Sequence, residues 1–186
     1  MMQTKYIKEE IKYIGSQLAP HWIYKNFKIQ GDAIVAFSGE CDVKLTEMVD
    51  IEDVINNEPI YSKSMLSFIT EQFNVNLVEG VFRQRLLICT IKEALEKRGF
   101  KPERDGDDLF INGKKLTVSI ATKSLTSILI HTGINIISEG APVKAAGLKS
   151  DLNLDDTENF ANEIMKRYSE EIDDIIKAST KVRGVH

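Results

Sequence analysis

The dipeptide Asn112-Gly113 constrains the fold more than any other part of the chain, because it lies between two runs of alternating hydrophobicity. Asn-Gly in this setting is the strongest short-range signal for a two-residue β-hairpin turn. The spacing predicts strands over 107–112 and 114–121, and the next alternating run predicts a third strand over 127–137. We expect these three strands to be adjacent in one antiparallel sheet.

Side chains alternate across a strand, so the predicted sheet has one apolar face and one polar face. On the apolar face, which helices are expected to cover, are Leu109, Leu116 and Ile130. The predicted turn places Asp108 opposite Thr117 and diagonal to Lys115. The polar face contains a candidate site formed by Asp108, Lys115, Thr117, Ser119, His131, Gly133 and Asn135. The alternative interpretation is an antiparallel sheet whose polar face is half-solvated and has no site.

Four segments around this turn resemble the central hairpin and the following strand of the biotin- and lipoate-protein ligases. They are DDLF at 107–110, NG at 112–113, KKLT at 114–117 and GINI at 133–136. In that family a hairpin lysine contacts the acyl substrate and the acyl-adenylate, and the resemblance implies this catalytic role for Lys115.

The chain also departs from the pattern of those ligases. Asp107 stands where the family has asparagine, and Val118 stands where it usually has glycine. The glycine- and arginine-rich loop of the biotin ligases is absent, as is the Gly-Gly-Gly segment of the lipoate ligases. The resemblance therefore implies the hairpin and its lysine more directly than it implies nucleotide binding.

A second resemblance extends over nearly the full length of the chain. It is found in the segments MVDIEDV, MLSFITEQF, RQRLLICTIKEAL and GDDLFINGKKLTVSIA. These segments resemble a small prokaryotic family assigned to a domain of unknown function. The resemblance implies a biotin/lipoate ligase-like α+β fold, shared with class II aminoacyl-tRNA synthetases, in which helices flank a mostly antiparallel sheet. We expect one such domain over residues 1–186.

The likeness to the ligases implies an acyl-adenylate-type ligase or transferase that acts on a small carboxylate similar to lipoate or biotin. The cofactors of such chemistry would be ATP and Mg²⁺. The protein must supply positioning, and positive charge where negative charge develops on phosphate and carbonyl oxygens. Two alternatives stay open: a non-catalytic module that binds a small molecule or a protein, and an RNA-linked relative of the class II synthetases.

Apolar periodicity predicts a helix that begins at Ser62 or Ser64 and runs to about Phe73. A second helix is predicted to follow Gly80 and to end near Gly99, because glycine favours the left-handed conformation that terminates helices.

Two short strands are predicted before these helices, over 33–37 and 41–43, with a turn at Gly39-Glu40 between them. After the third strand of the hairpin region, a long amphipathic helix is predicted to begin with a cap among residues 155–157.

Arg83 and Arg85 lie near the predicted start of the second helix. Positive charge there opposes the helix dipole, while exposed backbone amides attract anions. We therefore expect at least one of the two arginines to bind a protein carboxylate or a ligand phosphate. In the segment MVDIEDVINNEP, Asp50 is predicted to cap a short helix, and Pro59 lies beyond its end. The acidic residues there are interpreted as the solvated start of that helix, with paired carboxylates as the alternative: Glu47, Asp50, Glu52 and Asp53.

Charge and cysteine content limit the classes of partner. The formal net charge of −4 disfavours a nucleic acid held mainly through its phosphates. Cys41 and Cys89 are far apart and in no metal-ligand spacing, so no metal ligand is predicted. The first residues lack the apolar core of a signal peptide, and no apolar run is long enough to span a bilayer. We expect a cytoplasmic protein without a membrane partner, and a homodimer is compatible with the sequence.

Overall fold

A computed structural model of the chain describes residues 1–185, and the strand β3 (Ile60–Phe73) lies at its centre. This strand is the middle member of a five-stranded sheet in the order β1-β2-β3-β8-β7. The first pair is parallel and the other three pairs are antiparallel. The other strands of this large sheet are β1 (Gln3–Tyr6), β2 (Ala33–Val43), β7 (Thr117–Lys123) and β8 (Ser127–Ile137).

The predicted helix ending at Phe73 is wrong, because this segment is the central strand β3. Leu66 and Phe68 belong to the core on one side of the sheet, whereas Met65 and Ile69 belong to the core on the other side. A strand buried on both faces has a nearly continuous apolar sequence, which periodicity does not distinguish from a buried helix.

Strand β2 is continuous, so the turn predicted at Gly39-Glu40 is also wrong. The register shifts between Gly39 and Cys41, where the strand bulges against β3. A Cβ atom at Gly39 would lie 2.2 Å from the carbonyl oxygen of Ile11. Glycine is required here because another segment of backbone passes close to the strand.

Two long helices, α3 (Leu77–Glu96) and α4 (Thr157–Thr180), pack on one face of the large sheet. The short helices are α1 (Trp22–Phe27) and α2 (Ile51–Asn56). Asp156 caps α4 by accepting a hydrogen bond from the Asn159 N–H, as predicted for residues 155–157. Helix α3 begins one turn earlier than predicted, after the cap Asn76. No helix within residues 1–185 is long and apolar enough to cross a membrane.

The predicted hairpin is present, but it belongs to a separate small sheet. Its strands are β4 (Glu103–Asp105), β5 (Asp108–Ile111) and β6 (Lys114–Lys115). Asn112 and Gly113 have φ values of 51° and 71°, which a type I′ turn requires. Phe110 pairs with Lys115, as predicted.

The chain leaves the small sheet at Leu116 and enters the large one as β7, so the prediction of one sheet for all three strands is wrong. Asp108 pairs with Asp105 and not with Thr117. The side chain of Thr117 joins the two sheets, since its Oγ1 accepts a hydrogen bond of 2.8 Å from the Leu109 N–H. The predicted burial is confirmed for the three apolar residues Leu109, Leu116 and Ile130.

We expect Thr117→Val to destabilise the fold by about 1–3 kcal/mol, because it leaves the buried Leu109 N–H without an acceptor while preserving side-chain shape. Urea unfolding of the variant would measure the loss. Thr122→Val in the same strand is the control, because the Thr122 hydroxyl has no hydrogen-bond partner within residues 1–185 and its removal should change stability by about 0.5 kcal/mol at most. Equal stability of the two variants would contradict this role for Thr117.

Candidate functional site

A cavity of about 230 Å³ opens beside the hairpin, on the face of the large sheet opposite α3 and α4. Its wall combines the hairpin with β7, β8 and the segment before and after α2. The loop 141–145 forms a further side of the cavity. Two backbone hydrogen bonds fix this part of the chain to the hairpin: the Lys115 N–H donates to the Lys144 carbonyl, and the Ala146 N–H donates to the Lys115 carbonyl. The cavity is therefore formed where the two sheets meet.

Lys115 lines this cavity together with Asp108. The Lys115 Nζ atom lies 2.8 Å from Asp108 Oδ2, and about a third of each side chain is exposed. The two residues, expected to be diagonal neighbours on the sheet, therefore form an ion pair, and His131 and Asn135 line the same concavity. Burial raises the pKa of Asp108, and the ammonium of Lys115 opposes this rise. Lys115 is the one basic side chain of the wall among the residues that the structure describes.

His131 is a buried, uncharged part of the wall. Its ring stacks on Tyr13 with centroids 3.8 Å apart, and its Nε2 atom lies 3.3 Å from Ser67 Oγ. Burial lowers the pKa of His131 to about 3. The ring is therefore neutral at pH 7 and can contribute shape and one hydrogen bond, but no positive charge.

Two of the predicted binding residues, Thr117 and Gly133, do not line the cavity, for different reasons. The change of sheet at Leu116 reverses the faces of β7. Thr117 pairs with Ile134 on the side covered by α3. Gly133 is on the cavity side, but the side chain of Met65 fills the space where its Cβ would lie.

Ser119 borders the cavity, yet its hydroxyl is engaged on the helix side of the sheet. The Ser119 Oγ atom lies 2.9 Å from Thr132 Oγ1 and accepts a hydrogen bond of 3.1 Å from Gln84 Nε2. We infer that Ser119 fixes α3 against β7 more directly than it could contact a ligand.

Neither of the two arginines lines the cavity. Because α3 begins at Leu77, Arg83 and Arg85 lie beyond its first turn and away from its free amides. Arg83 pairs with Glu79 on the same helix. The Arg85 Nη2 atom lies 3.2 Å from Asp107 Oδ1 at the edge of the cavity. Of the two kinds of partner expected for these arginines, the structure therefore shows a protein carboxylate.

Sequence reasoning interpreted the acidic segment around α2 as a solvated helix start and did not place it in the wall of the site. Asp50 does cap α2, as predicted, by accepting from the Glu52 N–H, but both Asp50 and Asp53 also line the cavity. Burial, with the adjacent charge of Asp50, raises the pKa of Asp53. The acidic MVDIEDV segment was the available signal, and only the tertiary fold shows which of its carboxylates face the cavity. Within residues 1–185, no group of three or more His, Cys, Asp or Glu side chains is placed to hold a metal ion.

Comparison with known proteins identifies relatives over the whole length. Residues 2–183 match the family described as "Domain of unknown function (DUF366)". An uncharacterised protein of Methanocaldococcus jannaschii is 39% identical over 180 residues, which are 94% of this chain and 81% of the relative. A Pyrococcus horikoshii structure of a protein of unknown function is 42% identical and superimposes with a TM-score of 0.94, covering all of both chains.

More distant structures include ligases. The biotin protein ligase of Aquifex aeolicus in complex with biotin superimposes with a TM-score of 0.60 at 16% identity, over 92% of this chain and 70% of the ligase. A T. acidophilum protein with bound lipoic acid gives a TM-score of 0.55 at 12% identity, over 91% and 85% of the two chains. At this level of identity the comparison shows a common fold.

The buried His131 predicts a loss of stability in mild acid. Its pKa in the folded protein is below the ordinary value of 6.5, so between these values the unfolded chain binds more protons. From pH 7 to pH 5 this one group should lower the free energy of unfolding by about 2 kcal/mol. Urea titrations at both pH values would measure the change. His131→Asn should reduce it, and the control His21→Asn should retain it; the opposite ranking would contradict the assignment.

Proposed function

The chain belongs to the DUF366 family, and we propose that its cavity binds a small carboxylate and activates it as an acyl-adenylate-type ligase or transferase. The observation that carries this proposal is the position of Lys115, whose ammonium lines a cavity of the ligase-like fold 2.8 Å from Asp108. The residue lies on the hairpin strand where the resembling ligases have their substrate lysine.

Acyl activation requires the protein mainly to position the reactants and to stabilise developing negative charge. Lys115 would contact the carboxylate of the ligand and the oxygens of the mixed anhydride. Asp108 would position the lysine, because its ion pair restricts the long side chain to the cavity side of the hairpin. Asn135 would provide amide donor and acceptor atoms in the same wall.

The wall has carboxylates of the kind that accompany a magnesium nucleotide. Mg²⁺ is commonly held by one or two carboxylates together with substrate phosphates. Asp108 lines the cavity and would be the side chain available for this task. The ion would offset part of the charge of the nucleotide phosphates.

A non-catalytic binding module is the second candidate, and one observation favours it. Arg83 is paired with Glu79, and Arg85 is paired with Asp107. Within residues 1–185, Lys115 is therefore the one cationic side chain of the wall that could bind a triphosphate. A chain that retains the carboxylate site without nucleotide chemistry would carry or sense its ligand. Homodimer formation and the absence of a nucleic-acid partner stay predictions from the sequence.

Lys115→Ala should weaken binding of a carboxylate ligand by about tenfold or more, because charge-assisted hydrogen bonds contribute roughly 1.5–3 kcal/mol. Calorimetric titration with lipoate, biotin and octanoate would measure the effect. Lys114→Ala is the control, since the Lys114 Nζ atom also lies 2.8 Å from a carboxylate, that of Asp151, but outside the cavity wall. Equal affinities of the two variants would contradict the site assignment.

The enzyme and the binding module differ in one reaction. Carboxylate-dependent exchange of labelled pyrophosphate into ATP requires formation of an acyl-adenylate, so the ligase is expected to catalyse it with Mg²⁺ present. Exchange should be lost in Lys115→Ala and kept in Lys114→Ala. Binding of a carboxylate without any exchange would support the non-catalytic module.

A further inference from the structure

The wall of the cavity is strongly acidic for a site that receives a carboxylate. Six carboxylates face one ammonium, which gives a formal charge of −5 with His131 neutral. The six are Glu47, Asp50, Asp53, Glu58, Asp107 and Asp108. A ligand with only a carboxylate would bring a further negative charge into this wall.

Lys115 does not balance that charge, because it is already paired with Asp108. Asp107 is paired with Arg85. The other four carboxylates form no ion pair within residues 1–185, and of these Asp50 and Asp53 are half-buried. Half-buried carboxylates without a cation favour a positively charged partner more than exposed ones do, because water screens their charge less.

Two neutral side chains give independent support for a ligand with hydrogen-bond donors. Tyr13 and Asn135 are only 4% and 7% exposed, and both line the cavity. Neither the Tyr13 hydroxyl nor the Asn135 carboxamide has a hydrogen-bond partner among the described residues. The polar atoms of these two buried side chains are themselves accessible, so a ligand in the cavity can pair with them. Polar groups at such positions in native proteins are nearly always paired with protein, water or ligand. Oxygen atoms of both groups can accept hydrogen bonds.

We propose that the carboxylate bound at Lys115 also carries a protonated amine, so that the ligand is a small amino carboxylate. This inference rests on the proposed function, which supplies the carboxylate end. Asp53 recognises the ammonium group, and the oxygens of Tyr13 and Asn135 are acceptors for its N–H groups. The cavity volume of about 230 Å³ suits a short molecule, since pockets for drug-sized ligands measure roughly 300–1,000 Å³.

The test compares compounds that differ in one charged end, using the full chain in the presence of EDTA so that metal ions do not contribute. Three compounds are compared at each of three chain lengths: a plain carboxylate, a plain amine and the ω-amino carboxylate with the same number of carbons. At six carbons these are hexanoate, hexylamine and 6-aminohexanoate. Calorimetric titration should give at least tenfold tighter binding for the amino carboxylate than for the plain carboxylate at the preferred length.

The outcomes separate this inference from the function beneath it. Equal or tighter binding of the plain carboxylate would overturn the inference and leave the proposed function intact. Equal binding of the plain amine and the amino carboxylate would overturn both the inference and the proposed function, because the carboxylate would then contribute nothing to binding. Absence of binding by every compound in the set would overturn the inference.

Asp53→Asn provides the residue-level test. This substitution should remove the preference for the amino carboxylate over the plain carboxylate. The thermal midpoint of the free protein should not fall, because the substitution removes a poorly solvated charge. Glu52→Gln is the control: it removes the adjacent charge of α2, but Glu52 is exposed and does not line the cavity. Loss of the preference in both variants, or in neither, would overturn the role of Asp53.

Tyr13→Phe tests the neutral acceptor separately. Because the hydroxyl has no hydrogen-bond partner in the described part of the chain, its removal should leave the free energy of unfolding unchanged. Affinity for the amino carboxylate should fall several-fold. Unchanged affinity would overturn the assignment of this hydroxyl to the ligand.

Discussion

Burial of β3 on both faces is the constraint on which the rest of the structure depends. Leu66 and Phe68 need cover on one side, which α3 and α4 provide, while Met65 and Ile69 need cover on the other. On that second side the N-terminal segment and α1 cover only part of the sheet. The cavity occupies the remainder, where the hairpin and the loop 141–145 form walls that leave space between them.

The passage of the chain between the two sheets creates the site. Lys115 is the last residue of the small sheet and Thr117 the first residue of β7, with the buried Leu116 between them. The hydrogen bond from the Leu109 N–H to Thr117 fixes this junction. A lysine held at such a junction is supported from both sheets. The position of Lys115 against Asp108 therefore depends on the rigid backbone of both sheets. Such rigidity suits a residue that must orient a reactive group.

The acidic wall opposes stability in the free protein. Burial raises the pKa values of Asp53 and Asp108, so their charged forms are less favourable in the fold than in water. Arrangements of this kind concentrate at functional sites, where a ligand supplies the missing charge. Tyr13 and Asn135 fit the same interpretation, because both are buried residues of the cavity wall whose side-chain polar atoms have no hydrogen-bond partner in the described part of the chain.

The sequence by itself determined the local features: the Asn112-Gly113 turn, the pairing of Phe110 with Lys115, and the caps of α2 and α4. Each depends on residues close together in the chain, whose conformational preferences act locally. Tertiary structure decided that 62–73 is a strand, since burial on both faces removes the periodicity that separates strand from helix. It also decided which side of β7 faces the cavity, because one residue of displacement at Leu116 reverses every following side chain. For the same reason Thr117 became a structural residue, while Asp53 joined a wall formed by segments distant in sequence.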